Sequence, residues 1–324
     1  MKIWAIIRFR CIKLCLNEQS VKEQNAAVIA VDAGGTYYKT ALVDLSGNII
    51  QGSFREFPSC SDKEKEKIIF AFKDLMRQIA EYAGQNNYAV SKIAVDFPGP
   101  FDYKRGFCMM RHKFASVYEL PLKPLVREIF PSATIPVTFH HDMHAYTYGA
   151  FKYDAGQGFS RVFCVAIGTG LGGGLVCDGQ PVMREDRGAM FPIYKQPYKN
   201  GILEDIVSNR GLVNEYRRLT GFSGELDAKI IESFAAQKDQ SAIEVYENMG
   251  QVLGEELKQL FKEWDVQCLV LGGQISRAYH LFGPTLEKAL EDTSCIKYIG
   301  PLKDFTHISI RGVAALPVPL NETN

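Results

Sequence analysis

The sequence predicts an α/β protein built from two similar lobes around a cleft. Three observations carry that prediction. Short apolar runs rich in β-branched residues stop at glycines, as in "AAVIAVDAGG" and "QCLVLGGQIS". Longer stretches with apolar residues at helical spacing alternate with them, which argues mixed α/β architecture. The same order of strand, glycine turn, strand and helices opens each half of the chain, and ligands commonly bind in the cleft between two such halves.

The elements follow in order. "AAVIAVDAGG" is a buried strand running into a turn, and "YYKTALVDLSGNIIQGSFREF" supplies two further strands around "LSGN", in hairpin spacing. "KEKIIFAFKDLMRQIAEYAGQ" places Ile68, Ile69, Phe72, Leu75, Met76 and Ile79 on one helical face. "SKIAVDFPGP" is a short strand ending at proline and glycine. In the second half, "RVFCVAIGTG" and "GLGGGLVCDG" form a glycine-centred strand pair, and "ILEDIVSNRGLVNEYRRLTG" a helix closed by glycine. "SAIEVYENMGQVLGEELKQLF" is amphipathic, with Ala242, Val245, Met249, Val252, Leu253, Leu257 and Leu260 in register. "QCLVLGGQIS" is a buried strand entering a glycine turn, and "HISIRGVAAL" closes the pattern. The expected boundaries are an extension over 1–25, a first lobe over 26–150 that 312–324 can complete, and a second lobe over 151–311.

Composition narrows the partners. The 324 residues are 46% hydrophobic and 23% charged, with 37 basic against 37 acidic side chains. Those are globular values, and a neutral chain with no basic block beyond its extreme N-terminus argues against nucleic acid and anionic membrane. Such a length buries a core without disulfides or structural metal. The eight cysteines (Cys11, Cys15, Cys60, Cys108, Cys164, Cys177, Cys268 and Cys295) form no C-x-x-C pair. Several stand in apolar runs, a pattern of reduced, buried thiols in a cytoplasmic protein. "MKIWAIIRFRCIKLCL" begins like an export signal, but Arg8, Arg10 and Lys13 break any apolar stretch and no small-residue cleavage site follows. It also falls short of the about 20 apolar residues of a membrane span, so it is expected to be an extension outside the core or an over-called start.

Three glycine clusters carry chemistry: "DAGGT" (Asp32–Thr36), "GTGLGGG" (Gly168–Gly174) and "LGGQIS" (Leu271–Ser276). Glycine lets the backbone approach an anion and turn its N–H groups inward. Any one cluster could be a plain tight turn; three in this arrangement point to phosphate. None precedes G-K-[ST], and "GTGLGGG" lies between hairpin-like strands, which excludes a Walker loop and a dinucleotide fingerprint. Asp32 ends a buried strand just before glycines, where a carboxylate is costly without a partner. Magnesium phosphate would supply one, because Mg²⁺ uses few carboxylates.

The stretch "FHHDMH" gathers His140, His141, Asp142 and His144. It lacks H-E-x-x-H spacing and a second ligand cluster, so packed or hydrogen-bonding histidines are expected over a transition metal. Alternation along a strand would put His140 and Asp142 on one face and His141 on the other.

Together and in order, these motifs resemble the ROK family of sugar kinases and sugar-responsive repressors, within the actin–hexokinase superfamily. "VDAGGTYYKTALVD" resembles its first phosphate motif, "AIGTGLGGGLV" its second and "LVLGGQIS" its adenosine-side motif. "DFPGPFDYKRG" resembles its sugar-lobe segment and "GILEDIVSNRGL" the stretch after its usual zinc site, over about Val28 to Leu316. The resemblance implies ribonuclease H-like (actin/hexokinase-type) lobes, a cytoplasmic homodimer, a sugar substrate, ATP and Mg²⁺. It implies phosphoryl transfer in which Asp142 takes the proton of a sugar hydroxyl and Asp32 orients Mg²⁺ through water or phosphate. Gly34, Gly35, Thr36, Gly168, Thr169, Gly170, Gly172, Gly173, Gly272 and Gly273 would hold the nucleotide.

The sugar side departs from the family. Counting from Gly179 sets Phe191 and Tyr194 where the family keeps the glutamate and histidine of Glu-x-Gly-His. The zinc cysteines are missing from "KQPYKNGILED", so no structural zinc is expected. Lys113 stands in place of a sugar-binding asparagine, beside Arg111 and His112, and His141 in place of the asparagine before the base. Gly99, Lys113, His141, Phe191 and Tyr194 are therefore the expected substrate contacts. A sugar-sensing protein without catalysis is the alternative, but it has no need of Asp32, Asp142 and three glycine turns. A repressor's helix-turn-helix needs more than the some 25 residues ahead of the first strand.

Overall fold

The computed structural model describes residues 25–318. The expectation for the basic, apolar N-terminus lies outside the described residues. The first half contains β1 (Ala26–Ala33), β2 (Tyr37–Asp44), β3 (Arg55–Pro58), α1 (Lys65–Gln85), β4 (Ala89–Phe97), a ribbon of β5 (Phe101–Asp102) and β6 (Phe107–Cys108), α2 (Leu122–Arg127), β7 (Val137–His141) and α3 (Asp142–Tyr153). The second contains β8 (Arg161–Ile167), β9 (Leu171–Cys177), β10 (Gln180–Pro181), a ribbon of β11 (Pro197–Tyr198) and β12 (Gly201–Ile202), then α4 (Asn209–Thr220), α5 (Ala228–Ala236) and α6 (Gln240–Glu263). β13 (Cys268–Gly272), α7 (Tyr279–Ala289), β14 (Tyr298–Pro301) and α8 (Ile308–Ala315) complete it.

Each half forms a five-stranded sheet, ordered β3-β2-β1-β4-β7 and β10-β9-β8-β13-β14. In each, the first three strands are antiparallel neighbours and the last three parallel ones. The two halves thus repeat one topology, the mixed α/β class that the sequence predicts.

Period-two alternation on the central strands explains how the layers stack. On β1, Ile29 and Val31 face α1 through Phe72, Leu75, Met76 and Ile79, while Val28 and Ala30 face α8 through Ile310 and Val313. On β8, Phe163 and Val165 share a core with Leu253 and Leu257 of α6, while Val162 and Cys164 pack with Ala150 of α3 and Ile308 of α8. Helices α3 and α8 therefore lie on the inner faces of the sheets, and α1 and α6 on the outer ones. Each buried Phe or Leu on these faces contributes about 1.5–3 kcal/mol.

Two expectations shift. "LSGN" turns the chain, but beyond one bridge, Val43 to Ile49, the partner strand waits until Arg55. Ser53 accepts from the Leu42 N–H at 3.1 Å, taking the place of a ladder bond. The helix expected over Ile202–Gly221 begins only at Asn209, because Ser208 caps it there by accepting from the Gly211 N–H, and it ends at Gly221 with φ of +71°.

Among the described residues no helix is long and apolar enough to cross a membrane. Cys108, Cys164 and Cys268 are buried free thiols, whereas Cys60, Cys177 and Cys295 are partly exposed.

Helices α3 and α8 pack backbone to backbone. A Cβ on Gly312 would stand 1.8 Å from the Ala145 carbonyl oxygen, and one on Gly149 would stand 2.2 Å from that of Ile308. Only glycine permits this backbone-to-backbone approach. Through it, α8 lays Ile310, Val313 and Ala314 against the first sheet, so the return to that sheet begins inside the segment expected in the second lobe. Two buried histidines lie at the end of β7 and the start of α3: His140 Nε2 lies 3.0 Å from Thr138 Oγ1, and His144 Nε2 has no partner. Burial pushes both down to about 3, aided by Lys92 and His144 around His140 and by His141 around His144. Both are neutral packed groups.

Gly312→Ala is expected to cost about 2–3 kcal/mol, because its added carbon meets backbone that cannot move aside. Gly84→Ala, near the end of α1 with nothing within 4 Å, should be neutral or stabilising by up to about 1 kcal/mol. Urea unfolding of the two variants checks the contrast; equal stabilities would refute it. The histidines predict an acid limb. Their folded values lie below the unfolded 6.5, so their contribution is complete above that pH and is lost as pH falls towards about 3. Moving from pH 7.5 to 5.5 should remove about 1.4 kcal/mol per histidine. The His140→Gln/His144→Gln double variant should show a correspondingly smaller difference between the two pH values. Asp32, raised to about 6, acts in the opposite sense in both proteins and cancels from the comparison.

Candidate active site

Parallel pairing brings the acidic residues together. Asp32 pairs in register with Asp96 across β1 and β4, and Asp96 with His140 across β4 and β7, so the three form a row at the carboxyl ends of adjacent strands. Ligands in α/β folds commonly bind at such strand ends. Asp142 follows this row as the first residue of α3. The strand stops at His141, so Asp142 does not share a strand face with His140 as the alternation suggested.

The carboxylates differ in state. Burial pushes Asp32 up to about 6, with Lys39 opposing the rise and Asp142 adding to it. Burial, then repulsion from Asp32 and Asp142, holds Asp96 well above the usual carboxylate range. The Ser309 hydroxyl on α8 donates to Asp96 Oδ2 at 3.0 Å, and Asp96 is also hydrogen-bonded to Asp32. Burial also works to raise Asp142, but His141 and the Met143 N–H outweigh it and leave Asp142 below the usual range. The Met143 N–H donates to Asp142 Oδ1 at 2.7 Å. His141 Nδ1 lies 2.7 Å from the same oxygen and also accepts from the Met143 N–H at 3.1 Å, which caps α3. The Asp142 side chain keeps 42% exposure against 15% for His141, so an ionised carboxylate is open to solvent. The other His141 nitrogen faces Gly99, where a Cβ would stand 3.3 Å from Nε2.

The glycine clusters fall into two kinds. In the first turn, Ser59 and Ser61 donate to the Gly35 carbonyl, and a Cβ on Gly34 would stand 2.9 Å from the Tyr37 carbonyl oxygen. Thr36 is exposed beside them. In the second, nothing lies within 4 Å of a Cβ on Gly168, Thr169 is exposed, and Gly170 abuts Glu204, whose Oε2 accepts from the Leu171 N–H at 2.9 Å. Gly172 and Gly173 lie within β9, where Met143 and then Ile193 and Phe163 occupy the space of a side chain. In the third turn, Gly273 has φ of +77°, and its N–H donates to Tyr146 Oη at 2.8 Å. The Tyr146 ring occupies the space of a side chain on Gly272.

The expected substrate contacts separate. Gly99 and His141 meet at the carboxyl ends of β4 and β7. Lys113 lies across Gly35, with Cδ 2.9 Å and Nζ 3.2 Å from a Cβ built there, which sets it against the first glycine turn. Phe191 is a correction: it is 7% exposed and wedged edge-on against Phe163 and Trp264, which makes it a core residue. Tyr194 packs on the same cluster under Lys195. Among the described residues no group of three or more His, Cys, Asp or Glu side chains is placed to hold a metal ion. Sequence reasoning missed Asp96, Glu204 and Tyr146. A carboxylate ending an apolar strand singled out Asp32, and the same signal in "KIAVDF" would have found Asp96.

Comparison with known proteins follows the same lines. The chain is 26% identical over 288 residues to a glucokinase of Thermotoga maritima, a match covering 82% of this chain and 87% of the relative. A ROK family glucokinase from Streptomyces griseus, solved with glucose and AMPPNP, superposes with TM-score 0.71 at 21% identity, covering 89% of this chain and 98% of that one. A ROK family transcriptional regulator, a homologue of the E. coli MLC protein, superposes with TM-score 0.76 at 18% identity over 90% of this chain and 78% of that one. The fold is thus shared with kinases and regulators alike. The model of the ROK family matches residues 28–315, through all three glycine turns and the acidic row, and the chain belongs to that family.

Proposed function

We propose that this protein transfers the terminal phosphoryl group of ATP to a hydroxyl of a sugar or sugar derivative. The observation that carries the reading is Asp142, held ionised by His141 and the Met143 N–H and open to solvent beside Asp32. General-base catalysis needs such a carboxylate within reach of the acceptor hydroxyl, and phosphoryl transfer otherwise rests on positioning and charge neutralisation. Asp142 takes the hydroxyl proton, His141 fixes the direction of its Oδ1, and Gly99 leaves room for the acceptor beside the imidazole. Gly34, Gly35, Gly168 and Thr169 cradle the phosphate chain, with open space above Gly168, and Gly272 and Gly273 close its nucleoside end.

Asp32 suits a magnesium role, since its burial and the nearby Asp142 leave negative charge for a cation to satisfy. A bound magnesium ion would neutralise phosphate charge. The likeness to a regulator supports a second reading, sugar sensing without catalysis.

The test is a coupled ADP-release screen over hexoses, N-acetylhexosamines and sugar acids, with wild type and Asp142→Asn. Wild type should turn over at least one acceptor. The variant should lose about 10²–10⁴-fold in kcat while keeping its melting temperature. Normal turnover in the variant removes Asp142 from the role of base. A wild type that binds acceptors and never releases ADP favours the sensing reading.

A further inference from the structure

The kinase reading leaves Lys113 without a role, and its position is unlike that of a sugar contact. Its side chain lies flat on the first glycine turn, occupying the space that Gly35 leaves by having no side chain. Its anchor is the same turn. Phe114, the next residue, is fully buried in a left-handed conformation and stacks on Tyr38, two residues past Thr36. The Phe114 N–H donates to the Ser61 carbonyl at 2.8 Å, and the Ser61 hydroxyl donates to the Gly35 carbonyl. Turn and lysine are thus tied through one serine and move as a unit.

The charge is uncommitted. Lys113 is exposed, and among the described residues no hydrogen bond or carboxylate engages its ammonium. Lys39, which pairs with Asp32 across β1 and β2, has its ammonium 3.9 Å from Glu56. Meanwhile Asp32, Asp96 and Asp142 place acidic groups beside the space that a polyanion would enter. Glycine amides give a phosphate chain hydrogen bonds but no full positive charge, and a lysine supplies one as a mobile point charge.

We propose that Lys113 is a phosphate-binding residue of the nucleotide site, reaching over Gly35 to the terminal phosphates. This rests on the kinase reading. In the transfer step the acceptor oxygen forms a new bond to phosphorus, the bond from phosphorus to the bridging oxygen breaks, and ADP leaves with that electron pair. The hydroxyl proton goes to Asp142. Lys113 exchanges no proton; it offsets charge on the non-bridging oxygens from the bound state through transfer.

Calorimetric titration of the full chain with AMP, ADP and AMPPNP, each with magnesium, tests the assignment in wild type, Lys113→Met and Lys113→Arg. The Met variant should bind AMPPNP about tenfold more weakly, the loss expected for one charge-assisted phosphate contact. Its AMP affinity should stay within about twofold of wild type, and Arg should restore most of the loss. An unchanged melting temperature without ligand confirms that the variant is folded, as exposure of the side chain leads one to expect. Equal AMPPNP affinities in wild type and the Met variant would overturn the proposal while leaving the kinase reading intact. A shift confined to the KM of a sugar acid would also overturn it and move Lys113 to the acceptor. A wild type that binds no nucleotide brings down the kinase reading and this proposal together.

Discussion

One helix organises the chemistry of both halves. Asp142 opens α3, Met143 covers Gly172, and Tyr146 accepts from the Gly273 N–H and fills the space beside Gly272. Thr147 presses on Gly174, and Gly149 meets α8 backbone to backbone. Helix α3 therefore carries the proposed base and touches the glycine-rich strand behind the second turn and the third turn within three helical turns of chain. A shift of its axis would move all of them together. The glycines it lies against carry no side chains because the helix occupies that space, which is why a protein interior this dense tolerates so little substitution there.

The acidic row is held against electrostatic preference. Asp96 is fully buried beside Asp32, bound by Ser309 and hydrogen-bonded to Asp32. Two buried carboxyl groups side by side cost free energy that a purely structural site would shed. Clusters of this kind mark places where folding stability has been given up for binding or chemistry. The neutral histidines beside the row fit that setting, since a charged imidazole there would need hydration that the core excludes.

Much of the frame was legible in the sequence, and the reasons are local. β1, β4, β8 and β13 announce themselves because both faces are buried, which requires unbroken apolar runs. α1 and α6 do so because one face meets solvent, which leaves a clean stripe. α3 carries no such signature: "DMHAYTYGAFKY" is flanked by packing on several sides, and its helicity comes from what surrounds it. The site divides in the same way. Asp32, Asp142 and the turn glycines stand at chain positions set by the strands. Phe191 was placed by counting through a loop whose anchoring glycines are missing, and counting cannot see that a ring has turned into the core. Lys113 stood at an expected position, but only the fold shows that it lies on the first turn.

The repeated strand order makes the β1–β2 turn and the β8–β9 turn counterparts, one in each half. Duplication alone would give two equivalent, electrically featureless jaws. Here the space over Gly35 is taken by an ammonium and the space over Gly170 by a carboxylate. The two counterparts therefore differ in charge through side chains rather than backbone, and a nucleotide held across them as proposed would meet a lysine at one turn and a glutamate at the other.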